Sequence, residues 1–246
     1  MKQFVIIGLG AFGKRVLEEL SQINVEVMVI DQDEALIEQY SNRVSKSFIA
    51  NALHEEVIRK LVPQGIDGVV IDLGGKVEVS ALVTNYLNKM GVKNIVARAE
   101  SDEHGEILSL LGASRVVFPT REAAKRITPL LVSPDFYNFL PISDGLVIAE
   151  IQIPPDLDGK TLIEVDFRKT YQLNIMAVRD IPGKPFHFVD GDFRMTNNTV
   201  LLAVGDQRDI IRFSGFTPSG SPDKKDTIWK SLFFQPKKKL FSRFRF

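Results

Sequence analysis

Short apolar runs alternate with longer stretches whose apolar positions recur at helical spacing through the first half of the chain. Phe4-Val5-Ile6-Ile7 is a strand pattern, and Val16, Leu17 and Leu20 mark one face of a helix. Val25 to Ile30 is a second strand, and Leu36, Ile37 and Tyr40 mark a second helix. Ser47 to Ala50, Val69 to Leu73, Asn94 to Arg98 and Val116 to Pro119 read as further strands. Between them, Val57, Ile58 and Leu61 give one helical face, and Val79, Leu82, Val83, Tyr86, Leu87 and Met90 another, stopped by Gly91. Ser101 is placed to cap a helix that opens on Asp102 and Glu103 and ends at Gly112. Short apolar strands alternating with helices imply a doubly wound parallel α/β sheet covered on both faces.

The rhythm then changes. Arg121 to Val132 reads as one more helix, broken at Ser133-Pro134. Beyond it, Leu146 to Ile153, Asn174 to Val178, Phe186 to Val189 and Val200 to Val204 read as strands, punctuated by Pro154-Pro155, Pro182-Gly183, Asp190-Gly191 and Asn197-Asn198. Helices are expected from Lys160 to Lys169 and from Asp206 to Phe213. The chain thus divides into residues 1–133, residues 134–215 as a small α+β domain, and a tail over 216–246. So small a second domain has little core of its own, and Ile151, Ile153, Ile175, Met176 and Val178 are available to pair with another copy. The tail mixes Trp229, Phe233, Phe234, Phe241, Phe244 and Phe246 with Lys237, Lys238, Lys239, Arg243 and Arg245. It reads either as a contact for an anionic membrane or membrane partner, or as a basic extension that packs or drifts.

The first strand runs straight into Gly8-Leu9-Gly10-Ala11-Phe12-Gly13, and the second ends in Asp31, 18 residues beyond Gly13. Strand, Gly-rich turn, helix, strand and acid in this order form a dinucleotide-binding βαβ unit of Rossmann type. Gly8 serves the tight turn, Gly10 lets backbone approach a pyrophosphate, and Gly13 lets helix and strand pack closely. The free amides at the helix start attract phosphate. Asp31, with Gln32 beside it, is placed to accept hydrogen bonds from ribose hydroxyls. The bland alternative is a Gly-rich turn that packs a helix and holds nothing.

Composition narrows the chemistry. Lys+Arg and Asp+Glu both number 31, so no global field draws in nucleic acid, and no helix-turn-helix is apparent. The absence of cysteine removes disulfides, thiolate catalysis and Cys-based metal sites, and fits a reducing compartment. No apolar run is long enough for a membrane span and no signal peptide is evident, so a cytoplasmic location is expected. A nicotinamide-dependent oxidoreductase is the rival class. It would need a placed acid or base, yet His54, His104 and His187 are the only histidines, and none of Tyr40, Tyr86, Tyr137 or Tyr171 has a lysine four residues on.

The Gly8-Leu9-Gly10-Ala11-Phe12-Gly13 turn, Asp31, Ile49-Ala50-Asn51-Ala52 and the small α+β domain together resemble the RCK-type regulatory subunits of Ktr/Trk potassium uptake systems over residues 1 to 215. The resemblance implies a cytoplasmic homo-oligomeric ring, built from dimers, on the inner face of the membrane. It also implies control of a potassium-translocating membrane subunit according to the bound adenine nucleotide, ATP, ADP or NAD(H), without chemistry, and in some members cyclic di-AMP at the C-terminal domain. Carried over, Gly8, Gly10, Ala11, Phe12 and Gly13 would cradle phosphates and Asp31 and Gln32 would hold the ribose. Asn51 and Ala52 would lie at the base, and Gly74 and Gly75 would leave room beside the phosphates. Arg98, at the end of the fifth strand, would place charge near a terminal phosphate or else be an ordinary salt-bridged arginine. Two positions depart from the pattern: Ala11 stands where ATP-sensing relatives carry arginine, and Thr120 where they carry an acid that helps place a cation.

Overall fold

The computed structural model describes residues 1–143 and 145–215, in two compact units that divide between Thr120 and Arg121. The tail over 216–246 lies outside the described residues.

In the first unit, β1 (Lys2–Ile7), β2 (Val25–Asp31), β3 (Lys46–Ile49), β4 (Gly68–Ile71), β5 (Ile95–Arg98) and β6 (Arg115–Val117) form one sheet in the order β3-β2-β1-β4-β5-β6. Every neighbouring pair is parallel. Helices α1 (Ala11–Leu20), α2 (Glu34–Tyr40), α3 (Glu55–Leu61), α4 (Val77–Lys89) and α5 (Asp102–Leu110) connect the strands. Because successive strand residues face opposite sides, Val5, Ile7, Met28, Ile30, Val69 and Ile71 share a core with Ile58 of α3, Val83 and Leu87 of α4 and Leu108 of α5. Ile6, Val27, Val29 and Val70 turn to the other face, against Leu17 of α1 and Ile37 and Tyr40 of α2. Burying each such side chain contributes about 1.5–3 kcal/mol, so both faces hold the sheet. The strands are apolar throughout for this reason, and the doubly wound α/β expectation is met.

In the second unit, α6 (Pro119–Val132) leads into β7 (Phe136–Pro141), β8 (Leu146–Gln152), β9 (Asn174–Arg179) and β10 (Val200–Asp206), an antiparallel sheet in the order β7-β8-β10-β9. The expected domain boundary at 133 differs from the observed division because Leu130 of α6 packs on the second unit's core. Phe139, Val147, Ala149, Ile151, Val178, Leu201 and Ala203 are buried there together with Ile210 and Phe213 of α9 (Gln207–Phe213). This corrects the expectation of a domain short of core: Ile151, Ile153 and Val178 fill its own interior rather than waiting for another copy. Of the five apolar residues assigned to pairing, Met176 is the one left largely outside, 49% exposed.

Two other expectations change. The helix read over Lys160 to Lys169 is two short ones, α7 (Leu162–Val165) and α8 (Phe167–Thr170), separated at Asp166, whose φ of 46° is left-handed and whose carboxylate caps the second. Phe186 to Val189 is no strand. It touches β9 through a single bridge, Val178 to His187, and Phe188 is 87% exposed. Among the described residues, no helix is long and apolar enough to cross a membrane.

Candidate functional site

The strand order of the first sheet reverses between β1 and β4, and a crevice opens there beyond the carboxyl ends of the strands, where open α/β sheets bind ligands. Its cavity measures about 560 Å³. Gly8, Gly10, Asp31, Gln32, Asn51, Ala52 and Gly74 line it, bringing together seven of the residues selected from sequence.

The three turn glycines are each required by contact. Gly8 has a φ of 92°, and a Cβ there would lie 2.0 Å from the Asp72 backbone oxygen. A Cβ on Gly10 would lie 2.3 Å from Asp72 Oδ2, and one on Gly13 would lie 2.4 Å from the Gly8 carbonyl oxygen. Helix α1 therefore starts directly under the turn, with Gly10 at its N-cap and no side chain of its own capping it. Ala11 is exposed at the helix start, Phe12 packs on the α1–α2 side of the sheet and Gly13 is buried.

Asp31 is itself built into the turn. Its Oδ2 accepts from the Leu9 amide at 2.6 Å and its Oδ1 from the Asp33 amide at 2.9 Å, so it ties the end of β2 to the glycine turn. Each carboxylate oxygen retains a lone pair for a further donor. Across the crevice, Asn51 Oδ1 accepts from the Leu53 amide at 3.0 Å, holding the loop after β3 against the cavity. Gly74, with a φ of 63° and open space around its Cβ direction, leaves the far wall unobstructed.

Arg98 takes the second of its two readings. One guanidinium nitrogen lies 3.0 Å from Asp72 Oδ1 and another 2.9 Å from Glu100 Oε1, and the side chain is 21% exposed. It is not part of the crevice lining, nor are Ala11, Phe12, Gly13 and Gly75. Gly75 instead passes Glu100, whose Oε2 would be 3.3 Å from a Cβ at that position.

Sequence reasoning missed Asp72, the most constrained group at the site. Its carboxylate is fully enclosed: Oδ2 accepts from the Gly13 amide at 2.8 Å while Oδ1 holds Arg98. The available signal was a single carboxylate within the otherwise apolar run Val69 to Leu73. Asp33, Lys76 and Val79 also line the crevice and were not singled out. Elsewhere in the unit, His104 is buried with Nε2 2.7 Å from Ser80 Oγ, and burial lowers its pKa from the ordinary histidine value. Among the described residues, no group of three or more His, Cys, Asp or Glu is arranged to hold a metal.

Comparison with known proteins agrees with this geometry. The TrkA-N domain family matches residues 4–119, which span the sheet, the turn and the crevice. The Ktr system potassium uptake protein C of Bacillus subtilis (strain 168) is 33% identical over 215 residues, covering 86% of this chain and 96% of that relative. The Ktr system potassium uptake protein A of the same organism is 29% identical over 215 residues, covering 86% of this chain and 95% of its own length. Among solved structures, the GsuK RCK domain superposes with a TM-score of 0.62 at 18% identity over 89% of this chain and 48% of that one. The GsuK channel bound to NAD gives a TM-score of 0.62 at 18% identity, over 89% of this chain and 40% of that one. The chain spans less than half of either GsuK structure, and at this identity the likeness is one of fold. With a third of its residues shared along nearly the whole of a Ktr protein, and a TrkA-N domain forming its first unit, the chain belongs to the Ktr family of potassium uptake proteins.

Proposed function

We propose that this chain is a nucleotide-responsive regulatory subunit that gates a potassium-translocating membrane partner. The carrying observation is the crevice at the β1/β4 switch point, where the contact-enforced Gly8 and Gly10, with Asp31 and Asn51, surround a cavity of about 560 Å³. That volume and lining suit an adenine nucleotide, ATP, ADP or NAD(H), with phosphates toward α1, ribose at Asp31 and Gln32, and base near Asn51 and Ala52. The GsuK structure bound to NAD, of the same fold, supports the ligand class. The relatives named as potassium uptake proteins support the partner.

In this reading the subunits form a homo-oligomeric ring on the cytoplasmic face. The nucleotide acts by binding one arrangement of the ring more tightly than another, since only differential affinity shifts such an equilibrium. No reaction is required. The crevice lining supplies no histidine or tyrosine to serve as a proton donor beside a nicotinamide, which counts against the oxidoreductase alternative. In the second unit, a shallow depression of about 660 Å³ sets Lys160 and Arg194 beside Asp158 and Glu164. That balanced charge gives little pull on the phosphates of cyclic di-AMP, and the proposal rests on the first unit.

The test is potassium flux through the membrane partner reconstituted in vesicles, with and without the full chain. Flux should depend on added nucleotide only when the chain is present. Flux indifferent to the chain at every nucleotide concentration would overturn the proposal.

A further inference from the structure

The start of α1 is already occupied. In a nucleotide-binding turn the first amides of the helix are the donors that receive phosphate. Here the Gly13 amide gives its hydrogen bond to Asp72 Oδ2 at 2.8 Å, and the Gly10 face turned toward β4 is closed by the same carboxylate. Asp72 is fully enclosed and pinned on its other oxygen by Arg98 at 3.0 Å, so it is built into the turn rather than resting there. The Arg98 guanidinium offers no compensation to a ligand, because it is shared between Asp72 and Glu100 and stands outside the lining. The ionisable groups that do line the crevice are Asp31, Asp33 and Asp72 against Lys76.

Resting on the nucleotide reading above, we propose that Asp72 sets the charge class of the ligand, favouring the doubly esterified pyrophosphate of a dinucleotide over the terminal phosphate of a nucleoside di- or triphosphate. An internal pyrophosphate presents one negative charge per phosphate and asks for few donors. The remaining amides at Ala11 and Phe12 stand just outside the cavity lining, at the α1 start next to the lining residue Gly10. No described side chain or carbonyl accepts from them, and they supply that number. A terminal phosphate brings additional charge toward a carboxylate that cannot turn away, in a partly enclosed site where like charges are weakly screened. It also brings additional acceptors toward an amide that is already used. Ala11 leaves the same helix start without a cationic side chain to offset either cost.

The experiment is equilibrium titration of the full chain with NADH, ADP and ATP at fixed ionic strength in EDTA, so that no divalent cation masks ligand charge. The affinity order should be NADH, then ADP, then ATP, with NADH at least about tenfold tighter than ATP. Asp72→Asn, which removes the charge and keeps the shape, should narrow that ratio by about tenfold, chiefly by strengthening ATP. Asp33→Asn, a loss of charge at the ribose end, should leave the ratio within about threefold of its parental value. ATP binding as tightly as NADH to the parent chain would overturn the inference while leaving the nucleotide site standing, and needs no variant to fold. An equal change in the ratio from Asp33→Asn would assign the effect to general charge and overturn the role of Asp72. Failure of all three ligands to bind would overturn the nucleotide reading itself, and the inference with it.

Discussion

Two helices of the first unit begin in opposite ways. Helix α5 is closed locally: Ser101 Oγ accepts from the His104 amide at 3.2 Å, and Asp102 and Glu103 stand in the first turn to meet the helix dipole. Hydrogen bonds with its own backbone and with Ser101 hold the Glu103 carboxyl below the usual carboxylate range. Helix α1 has Gly10 at its cap, no acid in its first turn and no local side-chain acceptor. Its one acceptor arrives from Asp72, 59 residues along the chain. A helix start that carries its own cap serves stability. One stripped to glycine and alanine gives up that local cap. In the reading proposed above, the amides so freed are open to a phosphate, with the distant carboxylate setting how much of that access remains.

This contrast can be broken by substitution at either end. Gly8→Ala should cost the most, at least about 3 kcal/mol, because the left-handed backbone and the contact with Asp72 oppose it together. Urea unfolding of the variant beside the parent chain measures that loss, and a difference below about 1 kcal/mol would mean the turn relaxes freely. Asp31→Ala comes next. Removing the carboxylate strips the Leu9 and Asp33 amides of their acceptor, and if Asp31 holds the ribose as proposed, nucleotide binding should weaken by about 1–3 kcal/mol. Calorimetric titration with NADH checks it. Ser101→Ala should cost about 1 kcal/mol of stability, the usual worth of a local cap, with nucleotide affinity untouched.

The smallest effect concerns pH. Burial lowers the His104 pKa, with the nearby Glu100 opposing the shift and Arg98 adding to it, and its buried Nδ1 has no partner. The folded chain therefore resists protonation more than the unfolded chain does. Stability is fully present above the ordinary histidine value of 6.5 and is lost as pH falls below it. Unfolding midpoints measured downward from neutral pH should decline, and His104→Gln should flatten the part of that decline due to this residue.

What was legible in the sequence was whatever depends on near neighbours. The six strands of the first sheet, the glycine turn, Asp31 and the Ser101 cap all follow from local pattern, and the structure has each of them. Asp72 was hidden because it sat inside the run Val69 to Leu73 as one polar position of a strand; its partners Gly13 and Arg98 meet it only in the folded sheet. In the second unit, β7 escaped notice because a register shift between Phe136 and Asn138 puts Phe136 and Phe139 both inward, at odd spacing. Asp166 looked like an ordinary helical position, since nothing beside it announces a left-handed residue.

The central claim is that a nucleotide occupies the crevice between β1, β2 and β4. Hydrogen exchange of the full chain with and without saturating NADH or ADP tests it most directly, because it reports where protection appears. Slower exchange is predicted over residues 8–13, the crevice-lining glycine turn and the α1 start that follows it, and over 31–36 and 50–53, which carry further lining residues. Unchanged exchange across those three segments under saturating ligand would contradict the claim.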